Sequence, residues 1–429
     1  MGCFPLNKYT MKKDKQQFST IAGIGLPIAE TFATLAGVSG QYIPFSGTGV
    51  GIRSVNDYPQ KLASIAANSP THGAALMKKA KLTFGQGIDF EGMSDTLNER
   101  MQNINGDMET INDVLEKVSE DLSMFGGFAL KVTWNGYKEV HKKIHSIEHV
   151  PFKYVRLGEP VKGKICRYVI SNDWEQKLKK QLRWEYDIPK FDPNKVNPLY
   201  IKGAMVYDED TMDNSSQLIY YKCYSTAGDG YYPLPDYISC LDSAINEIEV
   251  GVSMLKGIEN GINGAYIVST GDTAVDDDSK QEIIDTFNEL TTGAANTGGL
   301  IFMPTNVQVH PLNAIPADTY EAINPEVRQR IITAHNIPSI LLEYSQSGGF
   351  NNRAEEMQTA LLQFQQTTIK GYQNKIIRVF NSLLKYMTDE DFVLSIIPFV
   401  TEENTNKNIE TEEEDVEITD ESSLESTND

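Results

Sequence analysis

The sequence predicts an α+β protein. Three observations lead there. Apolar residues recur at helical spacing over 57–125 and again over 236–387, alternating strand-like segments fill 128–224, and a compact β-α-β-β stretch lies between two long helical segments. The longest stripe is Met357, Leu361, Phe364, Tyr372, Ile376, Phe380, Leu383 and Met387, whose steps are multiples of three or four, the mark of one helix face. No proline interrupts Arg353 to Met387, so this helix would extend roughly 50 Å. Its opposite face is polar, with Gln363, Gln365, Gln366, Thr367 and Asn374 beside Lys370 and Lys375.

In chain order, residues 1–40 read as an arm: a Lys-rich start, then a weak Gly/Ala-rich helix. From Asp57 to Leu82 the stripe Leu62, Ile65, Ala66, Leu76 predicts two helices, divided by Pro70 and Gly73. Lys78, Lys79 and Lys81 close the second, where cations suit the negative helix end, and Gly85 and Gly87 stop it. Met108 to Phe125 is a further helix with Ile111, Val114, Leu115, Val118 and Leu122 on one face. Gly126-Gly127 ends it, and Phe128 to Trp134 reads as a strand. Tyr137 to Arg156, Ile165 to Ile170, Leu199 to Val206 and Leu218 to Tyr224 continue the antiparallel strand pattern. Asp236 is placed to cap a helix whose face is Leu241, Ile245, Ile248, Val252, Leu255 and Ile258. The compact unit follows: strand Ala265–Ser269, helix Ser279–Leu290, strand Leu300–Met303 and strand Val307–Pro311. A helix from Thr319 to His335 ends before Pro338. The polar loop Ser345–Asn352 leads into the long helix, and Phe392 to Pro398 is a short strand.

At 429 residues the chain is long enough for several folding units, and 40% hydrophobic with 23% charged residues is ordinary for a folded protein. The net charge of −21 is uneven: residues 401–429 hold twelve acidic residues and one lysine, so −11 lies in the tail and −10 in the rest. That balance argues against a tight, sequence-independent grip on nucleic acid, which needs clustered Lys and Arg. The tail has almost no apolar content and is expected to be disordered. Four cysteines without C-x-x-C or zinc spacing suit a reducing compartment. The apolar run Ile21–Val38 is interrupted by Pro27, Glu30 and glycines, a poor membrane span, and Leu6 stands where a myristoylation signal needs Ser or Thr.

Candidate chemistry is sparse. Gly158-Glu-Pro-Val-Lys-Gly-Lys164 matches most of a phosphate loop, but Ile165 replaces the hydroxyl residue and strand-like sequence replaces the helix. It reads as a turn between strands. His141, His145 and His149 share one face of a helix or strand and lack converging carboxylates or cysteines, so a solvated strand face is expected. Asp276-Asp277-Asp278 lacks calcium-loop spacing, and Ser279 with Glu282 forms a capping box there instead. No catalytic residue, metal ligand or cofactor site is predicted.

The order of elements resembles the portal proteins of tailed double-stranded DNA bacteriophages, in the siphovirus-like family. The residues that carry the likeness are Gly126-Gly-Phe-Ala-Leu-Lys-Val132, His149-Val-Pro-Phe-Lys-Tyr-Val-Arg156, Tyr231-Tyr-Pro-Leu-Pro-Asp-Tyr237, Asn260-Gly-Ile-Asn-Gly264, Thr292-Gly-Ala-Ala-Asn296 and Ile331 to Leu342, followed by the long helix. The likeness covers about residues 45–390 and rests on order and spacing.

The resemblance implies a subunit with an N-terminal arm (1–40), an α+β wing (41–235), stem helices (236–262 and 314–338) and a small clip (263–313). A tunnel loop (339–352), a long helix with a short crown (353–400) and an acidic disordered tail (401–429) complete it. It further implies a homo-oligomeric ring, dodecameric in relatives, at one vertex of a virion capsid and assembled in the host cytoplasm. The implied partners are the terminase large subunit, the major capsid protein, head–tail connector proteins and weakly touched, translocating double-stranded DNA; no membrane and no cofactor are implied. In the tunnel loop, Gly348 and Gly349 would permit movement and Phe350 would narrow the channel. Gln346, Asn351 and Asn352 would be neutral neighbours, and Arg353 the cation that meets phosphate or pairs with Glu355 or Glu356. The alternatives are another capsid-associated adaptor, which would lack a clip between stem helices, and a metal-dependent nuclease, which would need converging carboxylates.

Overall fold

In the computed structural model, the described residues are 42–49, 52–54, 56–135, 143–175, 178–194, 199–201, 204–206, 216–226, 230–259, 266–269, 308–311, 317–342 and 350–399. The predicted arm, the helix at Ser279–Leu290, the strand at Leu300–Met303, His141 and the acidic tail lie outside them. The architecture is α+β, and every paired strand is antiparallel to its neighbour.

Helices α1 (Tyr58–Asn68) and α2 (Pro70–Phe84) meet at Ser69, whose side chain accepts from the His72 amide, with Pro70 at the first helical position. Gly73 is not a break. It sits inside α2 where a Cβ would lie 2.5 Å from the Ala66 carbonyl oxygen, so only glycine lets α1 end this close to α2. A short helix that the periodicity missed, α3 (Asp95–Gln102), is capped by Ser94. Helix α4 (Ile111–Phe125) starts with a capping box: the Thr110 amide donates to Asp113 Oδ2 at 2.7 Å and the Asp113 amide to Thr110 Oγ1 at 3.1 Å. It ends at Gly126, whose φ of 71° is the left-handed cap that glycine supplies. All five residues of its predicted face are buried.

The predicted single sheet is two main sheets. One has order β1 (Tyr42–Ile43), β6 (Val155–Gly158), β7 (Arg167–Ser171), β8 (Glu185–Pro189). The other has order β11 (Ser216–Lys222), β4 (Gly127–Asn135), β5 (Lys143–Val150). The pair β2 (Gly47–Gly49) with β3 (Ile52–Ser54) is an addition, and the predicted strand Leu199 to Val206 is instead two short paired strands, β9 (Leu199–Ile201) and β10 (Ala204–Val206). Strand β4 separates two cores. Phe128, Leu130, Val132 and Trp134 face one built on α4, whereas Ala129 faces the other with Phe152, Tyr168 and Tyr237. The near phosphate loop is the connection between β6 and β7. Val161 and Lys164 exchange backbone bonds at 2.9 and 3.1 Å, and Lys162 and Gly163 have φ of 52° and 77°, as a type I′ turn requires.

Helix α5 (Leu241–Glu259) precedes the antiparallel pair β12 (Tyr266–Ser269) and β13 (Gln308–Pro311), and α6 (Ala317–His335) follows it. Helices α5 and α6 pack together. The long helix is α7 (Phe350–Phe364), one π turn (Gln365–Ile369) and α8 (Lys370–Leu384). Buried residues step from Phe364 to Ile369, five positions that an α-helix cannot hold on one face and a wider turn can. The shift buries Gln365, which the sequence placed on the polar face. Gln373 is buried as well, its amide donating to the Leu82 and Thr83 carbonyls at 3.3 and 3.2 Å. The predicted strand Phe392–Pro398 is instead an extended segment bridging Ile396 to Ile88. No helix among the described residues is long and apolar enough to cross a membrane.

Candidate functional site

Of the predicted loop residues, Gln346, Gly348 and Gly349 lie outside the described residues. Phe350, Asn351, Asn352 and Arg353 form the first turn of α7, so the helix begins three residues earlier than predicted. The structure defines both feet of the loop. After α6, Asn336 takes φ of 55°, Ile337 is buried, and a 3-10 turn at Ser339–Leu341 carries the chain onward. Ile337 packs with Ala75 and Leu82 of α2 and with Phe364 and Ile369 of the long helix; Leu341, Leu342 and Leu361 border this cluster. The segment after α6 and the far end of α7 are thereby fixed to α2.

Helix α5 is held in its N-terminal half and open further along. Glu247 receives Thr71 Oγ1 at 2.5 Å and the Thr71 amide at 3.2 Å, together with Ser69 Oγ, a carboxylate seated on the N-terminus of α2. Leu241 and Ala244 are buried, but Val252, Met254 and Leu255 are exposed, Leu255 at 57%. These residues line a groove with Pro70, Asn324 and Arg328.

Asp236 does not cap a helix. The chain makes a 3-10 turn at Ile238–Cys240 before α5, and Asp236 accepts from Lys79 Nζ at 2.5 Å and Tyr372 Oη at 2.5 Å. Lys79, read from the sequence as one of three cations suited to the helix end, is 0% exposed, with its ammonium 5.1 Å from the Tyr372 ring centroid. A buried cation needs such partners because its hydration is lost. Burial and the Asp236 carboxylate raise the Tyr372 hydroxyl far above its ordinary range. One signal for Lys79 was available: His72, Leu76, Lys79 and Thr83 follow 4-3-4 spacing, so the lysine lies on the apolar face of α2.

Arg156 is also fully buried. Its guanidinium donates to Asn56 Oδ1 at 2.7 Å, to the Lys153 and Val155 carbonyls at 2.9 Å, to the Asn56 carbonyl at 2.5 Å and to Gln60 Oε1 at 3.3 Å. All five donors are used. Burial lowers its pKa to about 10.

The histidines of β5 do not converge: His145 is exposed, and His149 meets Asp121 Oδ2 at 2.7 Å. Among the described residues, one group of three metal-type donors occurs, buried His72, Cys240 and His335. Its geometry does not fit a cation. His72 Nδ1 lies 2.8 Å from His335 Nε2, a hydrogen bond, whereas two nitrogens about 2.0–2.1 Å from one tetrahedral ion would be about 3.3 Å apart. Lys79 opposes a cation there, and the outer ring nitrogens, His72 Nε2 and His335 Nδ1, have no hydrogen-bond acceptor to orient a metal-bound imidazole.

No family model and no curated protein sequence matches the chain. Solved structures with a similar backbone path include a chain from the neck of an empty gene transfer agent particle computed with C6 symmetry, 12% identical, with 86% of this chain and 90% of that one covered and a TM-score of 0.49. A chain from the neck of the native particle computed with C12 symmetry is 12% identical, covering 86% and 89%, with a TM-score of 0.48. An HK97-family phage portal protein from Corynebacterium diphtheriae is 11% identical, covering 78% and 93%, with a TM-score of 0.44. At these identities the likeness concerns backbone path alone.

Proposed function

We propose that this chain is a phage portal subunit, which forms a ring at one capsid vertex through which DNA is packaged and ejected. One observation carries the reading. Helices α5 and α6 leave the α+β unit as a pair bracketing β12 and β13, and the outer half of α5 exposes Val252, Met254 and Leu255 although its inner half is firmly fixed. An apolar helix face left open in a single chain suits repeated copies, each covering its neighbour's groove; a heterologous contact that closes on itself makes a ring. On this reading 41–235 is the wing, α5 and α6 are the stem, 263–313 is the clip that docks terminase and then connector proteins, and 401–429 is a solvated tail. The loop centred on Gln346, Gly348 and Gly349, with Phe350 to Arg353 at its helical end, faces the channel. The acidic balance agrees with a conduit, because DNA must slide without being held by clustered cations.

Electron microscopy of the purified protein tests this directly: rings with a central channel are expected. A strictly monomeric species across a wide range of concentration and salt overturns the reading. Replacing 343–349 by a shorter Gly/Ser linker is expected to leave rings intact and to impair packaging or retention of DNA.

A further inference from the structure

His72 and His335 come from different parts of the molecule. His72 is in the first turn of α2, and His335 is the last residue of α6. Both are 0% exposed, and their facing nitrogens are 2.8 Å apart. A single hydrogen bond between two rings needs a donor and an acceptor, so the contact as drawn holds when at least one ring is neutral. The Tyr237 ring lies edge-on to His72 at 4.7 Å and stacks on His335 at 5.1 Å, enclosing the pair. Among the described residues, Lys79 faces it from α2, and Tyr237 and Cys240 from the approach to α5; the neighbouring carboxylates are Asp236, beside Lys79, and Glu247 of α5, beside Ser69 and Thr71. The two carboxylates are already engaged, Asp236 by Lys79 and Tyr372 and Glu247 by Ser69 and Thr71. Among the described residues no neighbouring carboxylate is left to balance an imidazolium, and Lys79 repels one.

We propose that the His72–His335 pair is an acid-labile latch: protonation of the pair releases the end of α6, with the Ile337–Leu342 foot of the following loop, from α2. The position is what makes the contact consequential. Ile337 is anchored to Ala75 and Leu82 on the same helix as His72, so parting the rings loosens the adjacent cluster too. The direction of linkage agrees. Burial and Lys79 lower His72 to about 4 and His335 further, whereas a ring in water titrates near 6.5. The latch therefore contributes its full stability above about pH 6.5 and loses it as pH falls through 6.5 toward 4. At pH 5 an open form with one solvated ring gains about 30-fold over its population at pH 7.5.

The test is hydrogen exchange, corrected for the intrinsic pH dependence, on the intact protein at pH 7.5 and 5. The wild type is expected to lose protection about 10- to 30-fold in peptides covering 69–76 and 331–342 while α4 stays protected. A double variant, His72→Asn with His335→Gln, puts non-titrating amides near the bonded nitrogens and is expected to abolish the pH difference. Equal pH responses in wild type and variant overturn the latch. If the double variant does not fold, the wild type decides: loss confined to those two segments supports the latch, and uniform loss overturns it. Zinc-dependent protection of the wild type at pH 7.5 that Cys240→Ser removes also overturns it, by making the trio a metal site.

Discussion

Helices α4 and α5 carry the same kind of apolar stripe and meet opposite fates. In α4 every stripe residue from Ile111 to Leu122 is buried under β4, β5 and α8. In α5 burial fades along the helix, from 6% exposure at Leu241 to 57% at Leu255. The two helices also differ at their starts. The capping box of α4 is complete within four residues, whereas α5 is held through Glu247 and through Asp236 upstream of it, by partners in α2 and α8. A stripe shows that a face will be covered. It does not show whether the cover lies in the same chain.

The largest effect is expected where the approach to α5 is tied down. Asp236→Ala leaves the buried Lys79 ammonium without its carboxylate and is expected to cost about 3–5 kcal/mol in urea unfolding. Lys79→Met combined with Asp236→Asn should recover much of that loss, and a double variant as unstable as the single one would show that packing, not charge, holds the junction. Next comes the α4 face, where Leu122→Ala is expected to cost about 3 kcal/mol at any protein concentration. Removing the α4 cap is smaller: Thr110→Ala is expected to cost about 1 kcal/mol, checked by the same denaturation curves. The smallest effect belongs to the outer end of α5. Leu255→Ala should change single-subunit stability by less than about 0.5 kcal/mol. Sedimentation of Leu255→Glu should nevertheless show lost assembly. A Leu255→Ala variant as destabilised as Leu122→Ala at low concentration would erase the contrast, because its face would then be covered within the chain.

Much of the fold could be read from residues that act on near neighbours. The α4 face, the glycine stop at Gly126, the division of α1 from α2 at Pro70 and the turn at Lys162-Gly163 all follow from spacing or backbone preference over a few residues. The candidate site was less accessible. Polarity and conformational freedom mark Gln346, Gly348 and Gly349 in the sequence, whereas the packing of Ile337 and Phe364 on α2 joins segments far apart in the chain and leaves no local pattern. Asp236 looked like a cap because an acidic residue preceded an apolar period; the helix begins only at Leu241, and the carboxylate serves Lys79 and Tyr372.

By itself, then, the sequence determined the class of each long element, the buried face of α4 and the place of the turn between β6 and β7, because period and backbone sterics are properties of adjacent residues. Only the tertiary structure decided that the strands divide into two main sheets, that Lys79 lies in the core, that a π turn buries Gln365, and that His72 meets His335. Each of those outcomes depends on a partner contributed by another element, 263 positions away in the case of the two histidines. Packing and desolvation select such a partner after the local elements have formed, and no short-range pattern in the chain records the choice.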